Sequence, residues 1–155
     1  MTSNRKTAGV PAGKRDRQAL HGKLRAALGA EGRHFTQQRA AVFEYLSGVA
    51  HHPTADDVFC AVKRRLPKIS LATVYKNLEA LVACGAASKL TCGDAAARYE
   101  IRRDPHYHTR CLKCGSVTDL EATASATVSK LLKPPGGFRV EDYRIELLGY
   151  CRGCR

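Results

Sequence analysis

The sequence predicts an α+β protein, in which a helical N-terminal part precedes a shorter C-terminal part that mixes strands with one helix. Between residues 16 and 85, apolar side chains recur at helical spacing in four separate segments. From residue 106 onward the apolar residues form short extended runs, and two Cys-x-x-Cys pairs occur in this region. These observations divide the chain into a basic arm at 1–15, a helical domain at 16–101 and a small α/β domain at 102–155.

The four helical segments have recognisable boundaries. The first spans about residues 16–30, and the next two begin at the N-cap candidates Thr36 and Thr54. Pro67 is expected to end the third helix, because proline lacks the amide hydrogen that a helix interior needs. The fourth helix is predicted from Ser70 to a C-terminal Gly85.

Two short strands are predicted after the fourth helix. The runs "SKLT" and "ARYEI" flank "CGDAA", whose Gly93-Asp94 pair favours a tight turn. Helices followed by a two-stranded hairpin are typical of a winged helix-turn-helix, which we predict over 16–101. In the C-terminal part we expect strands at 106–112 and 115–120, a helix near 122–133 and one or two strands within 138–150.

The charge balance favours a polyanionic partner. Lysine and arginine exceed the acidic residues by a formal net charge of +12, which by itself favours nucleic acid slightly over a merely solvated basic surface. No apolar run approaches the roughly 18 residues of a membrane span. The basic start has no apolar segment of the signal-peptide type, so we expect a cytoplasmic protein with no membrane partner.

The fourth helix has a face suited to the major groove. Its predicted buried stripe comprises Leu71, Val74, Leu78 and Leu81, and we expect Ala80 among the residues of the opposite face. A single amphipathic helix is ordinary in globular proteins, but here the helix order, the hairpin and the charge agree. The candidate DNA-binding residues are Arg39, Ser70, Thr73, Tyr75, Lys76 and Asn77.

The cysteine pairs predict a metal site. Cys111 and Cys114 form the first pair, Cys151 and Cys154 form the second, and 36 residues separate the two pairs. Four thiolates in two such pairs are a typical tetrahedral ligand set for Zn(II), which would staple the C-terminal domain. The alternative is a redox dithiol, but neither pair begins a long helix after a strand.

Two histidines precede the first cysteine pair. On an extended strand His106 and His108 would point to the same side, which suits binding to one ion. A His2Cys2 zinc site with Cys111 and Cys114 is the competing interpretation, and it leaves the second cysteine pair without a role. Further ligands would come from His51 or His52, Glu100, and Asp119 or Glu121. Such nitrogen and oxygen donors suit Fe(II), Mn(II), Co(II) or Zn(II).

Several motifs resemble the ferric uptake regulator (Fur) superfamily. "HHPTADDVF", "ISLATVYKNLEAL", "YEI…HYHTRCLKCG" and the terminal "CRGC" carry the resemblance, from about residue 33 to 154. It implies a homodimeric, metal-dependent transcriptional repressor of operator DNA rather than an enzyme, with a C-terminal dimerisation domain. It also implies that the four cysteines bind a structural zinc, that Tyr75 belongs to the recognition helix, and that a regulatory Fe(II) or Mn(II) is bound by His52, Glu100, His106, His108 and Asp119.

The branch of the family is suggested by the residues around the histidine pair. "HYH" after Pro105, with Asp119, resembles the peroxide-responsive repressors, in which Fe(II) promotes oxidation of a histidine ligand, here His52 or His106. Glu100 resembles the iron-responsive branch instead. The prediction is therefore a peroxide sensor, with an iron-responsive repressor, or a zinc- or manganese-sensing relative, as the alternative.

Overall fold

The structure, a computed structural model, describes residues 14–91, 96–101, 106–120, 136–139 and 145–155. Within these residues, four helices precede five short strands: α1 (Lys14–Ala30), α2 (Gln37–Ser47), α3 (Ala55–Lys63), α4 (Leu71–Ala83), β1 (Ser88–Leu90), β2 (Arg98–Glu100), β3 (Tyr107–Cys111), β4 (Val117–Leu120) and β5 (Glu146–Gly149). The α+β class predicted from the sequence is confirmed. The chain divides into two compact units, with the division between residues 103 and 104.

Side-chain caps explain where the helices of the first unit begin. The Thr36 hydroxyl accepts from the Arg39 amide at 3.2 Å, and the Ser70 hydroxyl accepts from the Thr73 amide at 3.1 Å. Thr54 and Asp57 form a capping box, in which each side chain satisfies the other residue's backbone amide. α3 ends at Lys63, earlier than the predicted stop at Pro67.

The core of the first unit is mostly aliphatic, although Phe43 and Tyr99 also belong to it. Leu24 and Leu28 of α1 are fully buried, and Val42, Val58 and Val74 bring α2, α3 and α4 against them. Apolar burial of this kind contributes roughly 25 cal/mol per Å² and is the main favourable term in folding. The helices α2, α3 and α4 therefore share one packed core.

The prediction for one face of α4 is wrong at two positions. Asn77 and Ala80 were expected to face outward, but they are 4% and 3% exposed. Asn77 lies three residues after Val74 and one before Leu78, so the 3.6-residue helical repeat places it on the buried stripe. Asn77 is therefore removed from the candidate DNA contacts.

The predicted hairpin is confirmed. β1 and β2 pair antiparallel, with Lys89 opposite Tyr99 and Leu90 opposite Arg98. The predicted turn at Gly93-Asp94 lies outside the described residues. The hairpin is joined to the segment before α3, because the Tyr99 amide donates to the Pro53 carbonyl at 3.0 Å.

The second unit contains a three-stranded sheet in the order β4-β3-β5. β3 pairs antiparallel with β4 and parallel with β5, with Cys111 opposite Gly149. Strands at the three predicted places are confirmed, whereas the predicted helix near 122–133 lies outside the described residues. No helix in the described part of the chain is long and apolar enough to cross a membrane.

Replacing the α3 cap should measurably destabilise the first unit. Thr54→Ala removes the hydroxyl that accepts from the Asp57 amide at 3.2 Å, and we expect a loss of about 1 kcal/mol in the free energy of unfolding. Thr54→Ser keeps the hydroxyl and is the matched control. Urea unfolding followed by circular dichroism measures both, and equal stability of the two variants would contradict the capping argument.

Candidate metal centres and DNA-facing residues

The four cysteines lie at the carboxyl ends of two neighbouring parallel strands. Cys111 is the last residue of β3, and Cys151 follows β5 by two residues. After Cys111 the chain turns back, and the Gly115 amide donates to the Cys111 carbonyl at 2.9 Å. Gly115 has φ 66°, a left-handed conformation that glycine adopts without strain. The second pair closes a similar turn, since the Cys154 amide donates to the Cys151 carbonyl at 2.9 Å.

The four sulfur atoms form one cluster. They all lie within 4.8 Å of one another, and the sulfurs of Cys114 and Cys151 are 3.8 Å apart. Four thiolates around a tetrahedral ion at about 2.3 Å would have sulfurs about 3.8 Å apart. The cysteines are free thiols rather than disulfides. The sulfur positions therefore match a closed tetrahedral metal site.

The electrostatics of the cluster also favour a cation. The Cys151 amide donates to the Cys111 sulfur at 3.4 Å, and this contact, with the backbone at Cys114, lowers the pKa of Cys111 to about 6. The pKa of Cys154, in contrast, is raised to about 12 by its hydrogen bond with the Cys151 side chain and by its burial. Cys111 therefore ionises readily, whereas Cys154 resists ionisation. All four cysteines can be thiolates together only if a positive charge compensates them.

The second unit also holds a group of nitrogen and oxygen donors. His108 and Asp119 are direct neighbours in the β3–β4 register. The Nε2 atoms of His106 and His108 lie 3.5 and 3.6 Å from the same Asp119 oxygen. The two imidazole centroids are 4.5 Å apart. In the structure the two histidines lie on the same side, as predicted. Together with Asp119 they form a set of three donors that suits a borderline divalent ion.

The first unit contributes a histidine–carboxylate pair. His52 Nε2 and a Glu100 oxygen are 3.0 Å apart, and their side chains are only 4% and 10% exposed. The neighbouring His51 is exposed, and Glu121 lies outside the described residues. Burial distinguishes His52 from His51, because a buried imidazole beside a carboxylate is held in one orientation, as a metal ligand needs.

Arg98 has a role that the sequence did not indicate. Its guanidinium donates to the His52 carbonyl at 2.8 Å, and its backbone pairs with Thr54 as an isolated bridge. β2 thereby orients the segment that carries His52. No local sequence pattern links two residues that lie 46 positions apart, so this contact could not be predicted from the sequence.

Most of the remaining candidate DNA contacts lie near the start of α4, whereas Arg39 lies in α2. Tyr75 is 43% exposed and Lys76 is exposed. The Ser70 hydroxyl is within 2.8 Å of the Thr73 hydroxyl, so both residues also serve the helix cap. Arg39 donates to the His34 carbonyl, which holds its guanidinium against the chain rather than extended into solvent. Tyr75 and Lys76 therefore offer the best placed side chains for a groove contact.

A winged-helix unit combined with clustered metal-binding side chains defines a metal-dependent transcription regulator. The chain belongs to the ferric uptake regulator family, whose sequence model matches residues 30–148. The resemblance seen in the motifs is thereby confirmed.

Individual relatives refine this assignment. The peroxide operon regulator of Bacillus subtilis is 38% identical over 123 residues, which cover 79% of this chain and 85% of the relative. The ferric uptake regulator Fur of Helicobacter pylori shares the fold, with a TM-score of 0.72 at 20% identity, covering 89% of this chain and 93% of that one. A manganese-bound ferric uptake regulator from Pseudomonas aeruginosa has a TM-score of 0.65 at 25% identity, with coverage of 86% and 98%.

Loss of one cluster cysteine should remove the metal from the second unit. We expect the wild-type protein to retain about one zinc per chain and Cys151→Ser to lose it. The thermal unfolding midpoint of the variant should also fall, because the free energy of metal binding at such a site contributes to the stability of the fold.

The matched control is Cys60→Ser, which replaces an exposed cysteine outside the cluster. Metal analysis by mass spectrometry and a thermal melt are the measurements. Full zinc retention by Cys151→Ser would contradict the four-thiolate site.

Proposed function

We propose that this chain is a homodimeric repressor that binds operator DNA when a regulatory metal ion is present. In this proposal His52 and Glu100 from the first unit join His106, His108 and Asp119 from the second unit as ligands of one ion. The observation that carries it is the presence of converging imidazole and carboxylate donors in each unit. Five such donors suit Fe(II) or Mn(II), which prefer more ligands than a tetrahedral site supplies.

The four cysteines are proposed to hold Zn(II) as a permanent structural ion. Softer thiolate ligands select zinc, whereas imidazole and carboxylate ligands suit iron and manganese. Because the two donor types occupy separate clusters, the chain can keep one metal while it exchanges the other. A closed four-thiolate site also leaves no open position for a substrate, which fits a structural role.

DNA binding is proposed to use the start of α4 together with the basic surface. The net charge of +12 supports strong, salt-dependent attraction to phosphates. Tyr75 and Lys76 are exposed on the helix whose other face is packed in the core. We propose that they contact the operator directly, with Ser70 and Thr73 at the helix start and Arg39 near the backbone.

Regulation follows from ligands contributed by two units. An ion bound by both units favours the arrangement in which all five ligands converge, and a few kcal/mol of differential binding changes the population strongly. Loss of a single ligand removes that preference. The proposed switch therefore needs no change in the DNA-reading surface itself.

Peroxide sensing is the specific form of regulation that we propose. The 38% identity to a peroxide operon regulator supports it. When bound, Fe(II) would activate peroxide, so that one peroxide oxygen is added to the ring of His52 or His106 and the other leaves as water, with the ring as the source of the two electrons that peroxide accepts. His52 touches Glu100 and His106 lies near Asp119, so carboxylates hold both rings in place.

An iron-responsive repressor without peroxide chemistry is the alternative. Glu100 favours it, because it is the ligand in which this chain resembles the iron-responsive branch. The same fold and ligands would serve both functions. The two differ only in what happens to the histidines when peroxide is added.

Mass spectrometry after peroxide treatment separates these functions. Protein loaded anaerobically with Fe(II) should gain one oxygen atom on the peptide that holds His52 or His106, and it should lose operator binding. Protein loaded with Mn(II) is the control and should gain none. Iron-dependent binding without any oxygen gain would assign the protein to the iron-responsive alternative, and equal binding with and without metal would refute both.

Removing one recognition-helix lysine should weaken operator binding and its salt dependence. We expect Lys76→Ala to reduce the slope of log affinity against log salt by about 1, because one phosphate contact is lost. Lys113→Ala, which removes an equal charge from the second unit, is the control. Fluorescence anisotropy at several salt concentrations measures both variants. Equal slopes for the wild-type protein and Lys76→Ala would argue against a phosphate contact by Lys76.

A further inference from the structure

Glu79 is an acidic residue on the face of α4 proposed to meet DNA. It follows Tyr75 by four residues and Lys76 by three, so all three side chains lie on neighbouring parts of one helix surface. Its side chain is 52% exposed. A carboxylate in this position repels phosphates, and its presence needs a reason other than contact with DNA.

One oxygen of Glu79 contacts both strands of the hairpin. Glu79 Oε1 accepts from Lys89 Nζ at 2.8 Å and from the Tyr99 hydroxyl at 3.4 Å. Lys89 and Tyr99 are directly opposite each other in the β1–β2 register. A single carboxylate oxygen therefore ties the recognition helix to the two strands of the wing.

The tyrosine contact is not an ordinary surface contact. Tyr99 is 1% exposed. Its burial, together with the charge of Glu79, raises the pKa of the Tyr99 hydroxyl to about 12. The hydroxyl therefore remains protonated as a donor at neutral pH, and Glu79 is its acceptor. The lysine contact alone would be a surface ion pair of little consequence.

We infer that Glu79 is a positioning residue for DNA recognition, which holds the β1–β2 hairpin against α4 and sets where Lys89 meets the phosphate backbone. The inference rests on the proposed function in DNA binding. Because Glu79 acts through Lys89 and Tyr99, it touches no base or phosphate itself. Its contribution is to discrimination between duplexes, since non-specific binding needs only the basic surface.

The sign of the change in affinity tests this inference. Glu79→Gln removes a negative charge but keeps an oxygen that can accept from Tyr99. If only charge mattered, the variant would bind every duplex more tightly. If Glu79 positions the wing, affinity for a duplex selected by the wild-type protein from a random pool should fall on the order of tenfold, while affinity for an unrelated duplex stays equal or rises.

The experiment uses full-length, Mn(II)-loaded protein and fluorescence anisotropy on both duplexes. Glu31→Gln removes an equal charge from outside α4 and should leave the ratio of the two affinities unchanged. Lys89→Met should lower the ratio as Glu79→Gln does, and the double variant should be no worse than the more damaging single variant. This non-additivity is expected if the two residues act through their shared contact.

Two results would overturn the inference in different ways. If the wild-type protein selects a duplex but Glu79→Gln keeps the same affinity ratio, the positioning role is wrong and the proposed function stands. If the metal-loaded wild-type protein selects no duplex at all, the proposed function is wrong, and so is this inference, which rests on it.

Discussion

The parallel pairing of β3 with β5 is the constraint on which the second unit depends. Parallel strands end at the same edge of a sheet, so the two cysteine pairs that follow β3 and β5 are brought together although 36 residues separate them in the chain. Three strands of four or five residues bury little apolar surface, and Leu147, Leu148 and Tyr150 remain at least half exposed. A metal ion across the strand ends would supply the cross-link that so small a sheet lacks.

The chemistry of the side chains separates two kinds of metal site within one short unit. Sulfur donors lie at one end of β3, at Cys111, and nitrogen donors lie at its beginning, at His106 and His108. A strand of this length extends these groups roughly 3.3 Å per residue, so they cannot share one ion. The His2Cys2 alternative is disfavoured for this reason, because Cys111 and Cys114 lie with the second cysteine pair.

Strand β2 connects the candidate ligands of the first unit with α4, the helix proposed to contact DNA. Glu100 ends β2 and contacts His52, while Arg98 binds the His52 carbonyl. Between them, Tyr99 donates its backbone amide to Pro53 and its hydroxyl to Glu79 of α4. The three residues of β2 therefore link His52 to α4 by direct hydrogen bonds. In the proposed function, this contiguous network would offer a physical route for coupling between metal binding and DNA binding.

The sequence by itself determined the helices, the hairpin, the cysteine pairs and the same-side placement of His106 and His108, because caps, turn residues and strand or helix periodicity act over a few positions. It misplaced Asn77 and Ala80, since both border the predicted stripe of α4 and the width of the buried face depends on which elements pack against the helix. Only the tertiary structure decided that β3 and β5 run parallel, that Arg98 supports His52, and that Glu79 joins α4 to the wing. These contacts join residues between 10 and 46 positions apart, and contacts of that range depend on how whole elements pack rather than on any local pattern.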